Sequence, residues 1–355
     1  MGSHSKWKDR FQDAGSTAKE LIGVQYLRGI AVILVVLHHL CFNNTQLGPF
    51  GVKIFFVISG FVMWHTTVGA DISVMSFWHR RLVRIVPLYW ISLSILVAIA
   101  LSAPQALKTT VITPENVVKS FLFIPHYHTV QKFIAPILIP GWSLNYEMFF
   151  YFIFGITLLV ESRAFRAVTI GGVLWTLVLL GLSLNLEGAA AATYTSPDLL
   201  LFFDGIVLAI IFRTYNIDSA ILGLILICVG ALSYAFHLPD FFDSFENFVG
   251  LAPVMIVAGT LVLESTLRRA PNRLLHTIGN ASYSIYLSHL FFLRISELEW
   301  RRIAASGSGE MLNVAYVMVA FTFAIAGGIA VHYFIERPML NLFHPSRISS
   351  STKSA

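Results

Sequence analysis

The sequence predicts an all-α fold: a polytopic transmembrane helical bundle of about ten spans, with the N- and C-termini cytoplasmic. Three observations predict it. Of the 355 residues, 56% are hydrophobic and only 12% are charged, whereas soluble domains carry about a quarter charged residues. Apolar runs about twenty residues long recur along the chain, the length a helix needs to cross roughly 30 Å of hydrocarbon. Finally, Lys and Arg fall in short tracts between alternate runs, so that most of the 24 share one side of the membrane, as the positive-inside rule requires. The net charge of +5 is therefore a topology signal, and no nucleic-acid partner is expected.

In chain order, residues 1–23 form a polar cytoplasmic tail without the apolar stretch of a signal peptide. The membrane domain is expected over residues 24–338. Its spans are read at Val24–Phe42, Phe50–Val68, Ile85–Ala103, Trp142–Val160, Ala167–Leu184, Leu199–Phe212, Ala220–His237, Phe248–Leu263, His276–Leu293 and Met311–Ile335. The sixth is short, so flanking residues or thinned lipid must accommodate it. Arg80, Arg81 and Arg84, Arg163 and Arg166, Arg213, and Arg268, Arg269 and Arg273 then all face the cytoplasm, and an odd number of spans would scramble that bias. The one long loop, 104–141, lies outside. Within it Thr113-Pro-Glu-Asn reads as an N-cap with proline at the first helical position. Val117, Val118, Phe121 and Leu122 follow at helical spacing, which suits a short interfacial helix. Residues 339–355 are a polar cytoplasmic tail. Cys41 and Cys228 both lie in apolar runs, so no disulfide framework is implied.

The candidate chemistry centres on Arg28–Cys41, RGIAVILVVLHHLC. Arg28 and His39 are eleven positions apart, about 1100° of helical rotation, so they share one face about 16 Å apart along the axis. His38 points about 100° away from that face, toward packing or lipid. An ionisable group inside an apolar helix is costly and marks a functional candidate; the bland alternative is a ring that bonds a neighbouring helix. Asp204, inside the sixth span, qualifies by the same cost, and it equally suits a pairing with a neighbouring helix. His289 suits either an acceptor path or an interhelical bond. Arginines at inner helix ends ordinarily snorkel to headgroups and set topology. His126 and His128, in PHYH, lack the further ligands that zinc needs, so no metal is expected.

Five stretches and the ending together resemble the acyltransferase-3 family of integral membrane O-acyltransferases. Tyr26-Leu-Arg-Gly-Ile-Ala through His39 is similar to its Arg, ten residues, His signature. Gly51-Val-Lys-Ile-Phe-Phe-Val-Ile-Ser-Gly-Phe is similar to its second-span motif. Arg81-Leu-Val-Arg84 resembles its cytoplasmic Arg-x-x-Arg, and Trp142-Ser-Leu-Asn-Tyr-Glu147 its Trp-Ser-Leu…Glu. Ala281-Ser-Tyr-Ser-Ile-Tyr-Leu-Ser-His289 resembles its Ser-Tyr…Tyr-Leu-x-His, and Glu336-Arg-Pro its usual ending. The resemblance covers about residues 24–338. One departure is Lys53, where the family's second-span motif usually carries aspartate. A cation cannot accept a proton or orient a histidine as a carboxylate does, so Lys53 is assigned no catalytic role.

The resemblance implies transfer of an acyl group, commonly acetyl from acetyl-CoA, to a hydroxyl of a cell-surface or exported polysaccharide or its lipid-linked precursor. The localisation it implies is the inner (cytoplasmic) membrane. Arg28, Arg81 and Arg84 are then expected to bind the acyl-CoA phosphates, as guanidinium groups suit. His39 is expected to act as general base or acyl carrier, with Glu147, at a similar outer depth, fixing its tautomer. The rival from another class is a transporter of a saccharide-lipid, although no inverted repeat is visible and a transporter needs no Arg-x-x-Arg surface. An acyl-dependent sensor without turnover is a third reading.

Overall fold

The computed structural model describes residues 20–42, 45–70, 72–103, 112–130, 133–184, 186–215, 217–236, 250–303 and 310–343. The tails 1–19 and 344–355, residues 104–111 of the long loop and the ends of the seventh and eighth expected spans lie outside the described residues. Among the described residues the secondary structure is helical, apart from an isolated antiparallel bridge between Tyr127 and Ile134.

The helices are α1 (Ile22–Cys41), α2 (Leu47–Thr67), α3 (Val74–Ser102), α4 (Pro114–Phe121), α5 (Trp142–Thr157), α6 (Arg163–Ser183), α7 (Ala189–Tyr194), α8 (Leu200–Thr214), α9 (Ala220–Phe236), α10 (Leu251–Val262), α11 (Glu264–Arg269), α12 (Arg273–Asn280), α13 (Ser282–Ile303), α14 (Glu310–Val331) and α15 (Arg337–Phe343). Six described helical segments are long and apolar enough to cross a membrane: Ile22–Cys41, Leu47–Thr67, Val74–Ser102, Arg163–Ser183, Ala189–Thr214 and Val314–Phe343. The other four expected spans take different forms. Those of α5 and α10 have 16 and 12 helical residues, fewer than the roughly 17–25 that a full crossing needs, and α9 has 17 among the described residues. The ninth is broken at Ala281, which separates amphipathic α12 from α13; α13 then runs past Leu293 to Ile303 and carries Arg294, Glu297, Arg301 and Arg302.

The third helix also begins earlier than its apolar run. Ser73 caps it, its side chain accepting from Ser76 N (3.2 Å), so Arg81 and Arg84 ride on the helix itself rather than on a loop before it. The interfacial helix forms where its cap predicts: Thr113 accepts from Asn116 N (3.2 Å), with Pro114 in the first turn. On its exposed side Lys119 bonds Glu115 and holds that carboxyl below its usual range. Val118 and Leu122 remain exposed. The inner side is fastened to α3, since Tyr89 donates to Ser120 O (3.0 Å) and Trp90 to Phe121 O (2.9 Å).

Helices α1 and α2, α2 and α8, α9 and α10, and α13 and α14 pack side by side. The α2–α8 contact is backbone on backbone: a Cβ on Gly60 would sit 1.9 Å from Phe202 O, and one on Gly205 2.1 Å from Val57 O. Such close approach is how membrane helices gain dispersion contact without a hydrophobic driving force. The start of α1, which carries Arg28 and His39, is held by a distant carboxylate. Glu264 accepts from Ile22 N (3.0 Å) and Gly23 N (2.8 Å) and pairs with Arg268 (2.7 Å). It thereby satisfies two of the donors a helix N-terminus leaves open and complements its dipole. Glu264→Ala is expected to lower stability by about 1–3 kcal/mol, the cost of buried donors left unpaired, read as a fall in the thermal midpoint of the detergent-solubilised protein. Glu264→Gln, which keeps an acceptor, is expected to fall between.

Candidate active site: two cavities that share a wall

Arg28, Arg81 and Arg84 come together. They line one cavity of about 360 Å³, walled by α1, α2, α3, α5 and α13, in which Glu147 is the only acidic side chain among the described residues. Arg28 Nη1 bonds Gln25 Oε1 (3.4 Å). The guanidinium of Arg81 lies over the rings of Phe77 and Tyr151, 5.6 and 6.0 Å from their centroids, while its buried Nε has no hydrogen-bond partner. Arg81 is thus held by cation–π contact with donor capacity to spare. Glu147 accepts from Ser59 Oγ (3.2 Å) and from the Tyr151 hydroxyl.

His39 lines a second cavity, of about 330 Å³, together with His38, Trp142 and, from the loop before α5, Phe133, Ile134, Ile139 and Pro140. Its Nδ1 bonds Val35 O (3.0 Å). A carbonyl only accepts, so Nδ1 carries the proton and the lone pair of the neutral ring is on Nε2, which has no hydrogen bond from the described residues. His289 is fully buried, with its ring centroid 5.0 Å from that of His39. It is oriented in the same way: Nδ1 bonds Tyr286 O (2.7 Å), and Nε2 is buried without a partner. Two imidazoles therefore meet with their Nδ1 atoms anchored to their own helices and their Nε2 atoms free.

Two residues line both cavities, Val52 of α2 and Tyr286 of α13. Tyr286 donates to Pro140 O (2.9 Å) and shares a hydrogen bond with Ser143 Oγ (2.8 Å).

The structure departs from the sequence expectations at three points, Glu147, His38 and Asp204. Glu147 lines the arginine cavity and not the histidine cavity, and it is bonded to Ser59 and Tyr151 rather than paired with His39. Equal depth along the membrane normal left its lateral position open. His38 does not face lipid or plain packing: its ring lies 5.0 Å from that of His39, on the lining of the same cavity, and against Gly48, where a Cβ would come within 2.6 Å. The unpaired Cα face of Gly48 admits it. Asp204 lines neither cavity; its Oδ2 is buried without a partner. Lys53 takes no part in either lining and pairs with Asp198 (3.6 Å).

Sequence reasoning missed Ser59, Tyr151 and the two wall residues, although Val52, Ser59 and Tyr286 lie inside stretches that it singled out. It also missed the surroundings of Glu336. That carboxylate, 1% exposed, accepts from Ser284 Oγ (2.5 Å) and meets His332 Nδ1 (2.7 Å) across a five-residue π-helical segment, His332–Glu336, between α14 and α15.

Comparison with known proteins gives the chain's family. The chain is 32% identical over 315 residues to the exopolysaccharide production protein ExoZ of Rhizobium meliloti (strain 1021), covering 87% of this chain and 94% of that one. It is 25% identical over 330 residues to the acyltransferase MdmB of Streptomyces mycarofaciens, covering 84% and 82%. A provisionally named O-acetyltransferase of Staphylococcus aureus (strain COL) is 25% identical over 305 residues, which span 75% of this chain and 50% of the relative. No solved structure matches the chain. Residues 21–333 match the acyltransferase domain of the acyltransferase-3 family; this chain belongs to that family, and it is a multi-pass membrane acyltransferase.

Proposed function

We propose that the protein transfers an acetyl group from cytoplasmic acetyl-CoA to a hydroxyl of a cell-surface or exported polysaccharide, or of its lipid-linked precursor. The single observation that carries this reading is the pair of cavities. One offers three guanidinium groups, suited to the phosphates of an acyl-CoA. The other offers an imidazole with a free Nε2, suited to a hydroxyl nucleophile. The names of the Rhizobium and Staphylococcus relatives, for exopolysaccharide production and O-acetyl transfer, support the choice of acceptor and acyl group.

In this mechanism Arg28, Arg81 and Arg84 hold the phosphates and the thioester reaches toward His39. The acceptor hydroxyl gives its proton to His39 Nε2 as its oxygen bonds the acyl carbon. The carbon–sulfur bond breaks, and the thiolate takes the proton from the imidazolium. A covalent variant passes the acyl group through Nε2 itself. Glu147, beside the guanidinium groups, balances their charge while the donor site is empty and stabilises positive charge developing across the wall. His289, fully buried and on the lining of neither cavity, packs against the His39 ring and helps to hold it in place. Mass spectrometry of the surface polysaccharide from cells with and without the protein tests the reading: acetyl esters should be present only with it, and an unchanged polysaccharide contradicts it.

The orientation belongs to the same proposal: ten spans in the inner membrane, tails 1–23 and 339–355 cytoplasmic, loop 104–141 outside. The inner clustering of arginines supports it. His79 and Tyr127 are both exposed. In a Cys41→Ser, Cys228→Ser background, a cysteine at position 127 should react with an impermeant thiol reagent on intact cells, and one at position 79 only after lysis. The reverse pattern inverts the topology.

A further inference from the structure

We propose that Val52 and Tyr286 form a sieve between the two cavities and set the length of acyl group that the protein transfers. This inference rests on the acyltransferase reading above. A side chain that lines two cavities stands in the wall between them, and among the lining residues these two alone do so. The acyl carbon of a donor held by Arg28, Arg81 and Arg84 must reach Nε2 of His39, or a hydroxyl beside it, past that wall.

The wall is rigid. Val52 is 3% and Tyr286 6% exposed, and the tyrosine ring packs edge-on against Phe55, with centroids 6.2 Å apart. Its hydroxyl is tied to Pro140 O and Ser143 Oγ, in the turn that leads into α5. Swinging the ring aside would strip the buried Tyr286 hydroxyl of both its partners, while Pro140 O would keep only its bond from Ser143 Oγ (3.2 Å). An acyl group that fits between a fixed isopropyl and a fixed phenol must be short. The acyl carbon reacts at the wall, so each methylene beyond the limit crowds against Val52 and Tyr286, and a packed apolar wall discriminates by about 10–200-fold per methylene. The step itself is the one described above: the carbon–sulfur bond breaks as the carbon–oxygen bond forms, and the hydroxyl proton returns through His39 to the thiolate. Only which acyl chains can reach that geometry depends on the wall.

The experiment uses the purified full-length protein, saccharide acceptor, and acetyl-, propionyl- and butyryl-CoA as donors. Coenzyme A thiol release and the acylated acceptor are both measured. The wild-type protein should use butyryl-CoA at least about tenfold less well than acetyl-CoA. Val52→Ala should raise the butyryl-to-acetyl ratio about tenfold or more, and Val52→Leu should depress even acetyl transfer while acetyl-CoA still binds. Opposite effects from the smaller and larger side chains separate a sieve from general loosening, which would move both variants the same way. If Val52→Ala does not fold, Tyr286→Phe tests the other wall: with the hydroxyl ties gone the ring can tilt, and the ratio should rise. Wild-type transfer that is indifferent to chain length, or an unchanged ratio in the folded variants, overturns the sieve and leaves the acyltransferase reading intact. Failure of the wild-type protein to transfer any acyl group overturns that reading instead.

Discussion

Replacing His39 by alanine is expected to remove nearly all acetyl transfer while leaving acetyl-CoA binding in place. The two effects separate because His39 lines one cavity and the arginines line the other. Loss of a general base lowers turnover by about 10²–10⁴-fold, and loss of an obligatory acyl carrier abolishes it. His38 supplies a control on the same helix. Its ring contacts that of His39 edge-on at 5.0 Å, a contact worth about 0.5–1.5 kcal/mol. His38→Ala should therefore cost roughly tenfold or less in turnover. Acceptor acetylation by the purified variants, with calorimetric titration of donor alongside, measures both. An active His39→Ala with a dead His38→Ala would contradict both the ring orientation and the proposed chemistry.

The complementary result is expected from the arginine-lined cavity. Arg81→Ala and Arg84→Ala should each weaken acetyl-CoA binding by about 1.5–3 kcal/mol if a charge-assisted phosphate contact is lost, roughly 10–150-fold in Kd. The larger loss is expected for Arg81, whose Nε is buried without a partner and whose guanidinium is already oriented by Phe77 and Tyr151. Lysine at either position keeps charge but not the planar fork, so it should recover only part of the affinity. Unchanged donor affinity in both alanine variants would place coenzyme A elsewhere.

Much of the fold was legible because each apolar run carries its own length and flanking charge. The cap at Thr113-Pro114 was legible too, since it depends on a local side-chain-to-backbone bond. The early start of α3 was not, because a search for apolar runs skips Arg80–Arg84, whereas the Ser73 cap and the backbone ladder do not. The break at Ala281 was hidden for a different reason: alanine is a strong helix former, and the apolar run read as the ninth span continues across it.

At the site, helical periodicity placed Arg28 and His39 on one side of α1, and the structure puts them on the linings of adjoining cavities. Periodicity says nothing about which neighbour a face meets. The depth argument therefore put Glu147 level with His39 but could not see that α5 turns it toward Ser59 and the arginines. The shared wall was invisible for the same reason. Val52 and Tyr286 lie 234 positions apart in the chain, and only packing of α1, α2 and α13 brings them to one boundary.

The most direct test of the central claim is to incubate the purified wild-type protein in vesicles with acetyl-labelled acetyl-CoA on the arginine-rich side and saccharide acceptor on the other. The account predicts labelled acetyl esters on acceptor hydroxyls, with one free coenzyme A thiol released per ester. An unmodified acceptor and intact acetyl-CoA, together with protein-dependent movement of a saccharide-lipid across the same vesicles, would contradict it and favour a transporter.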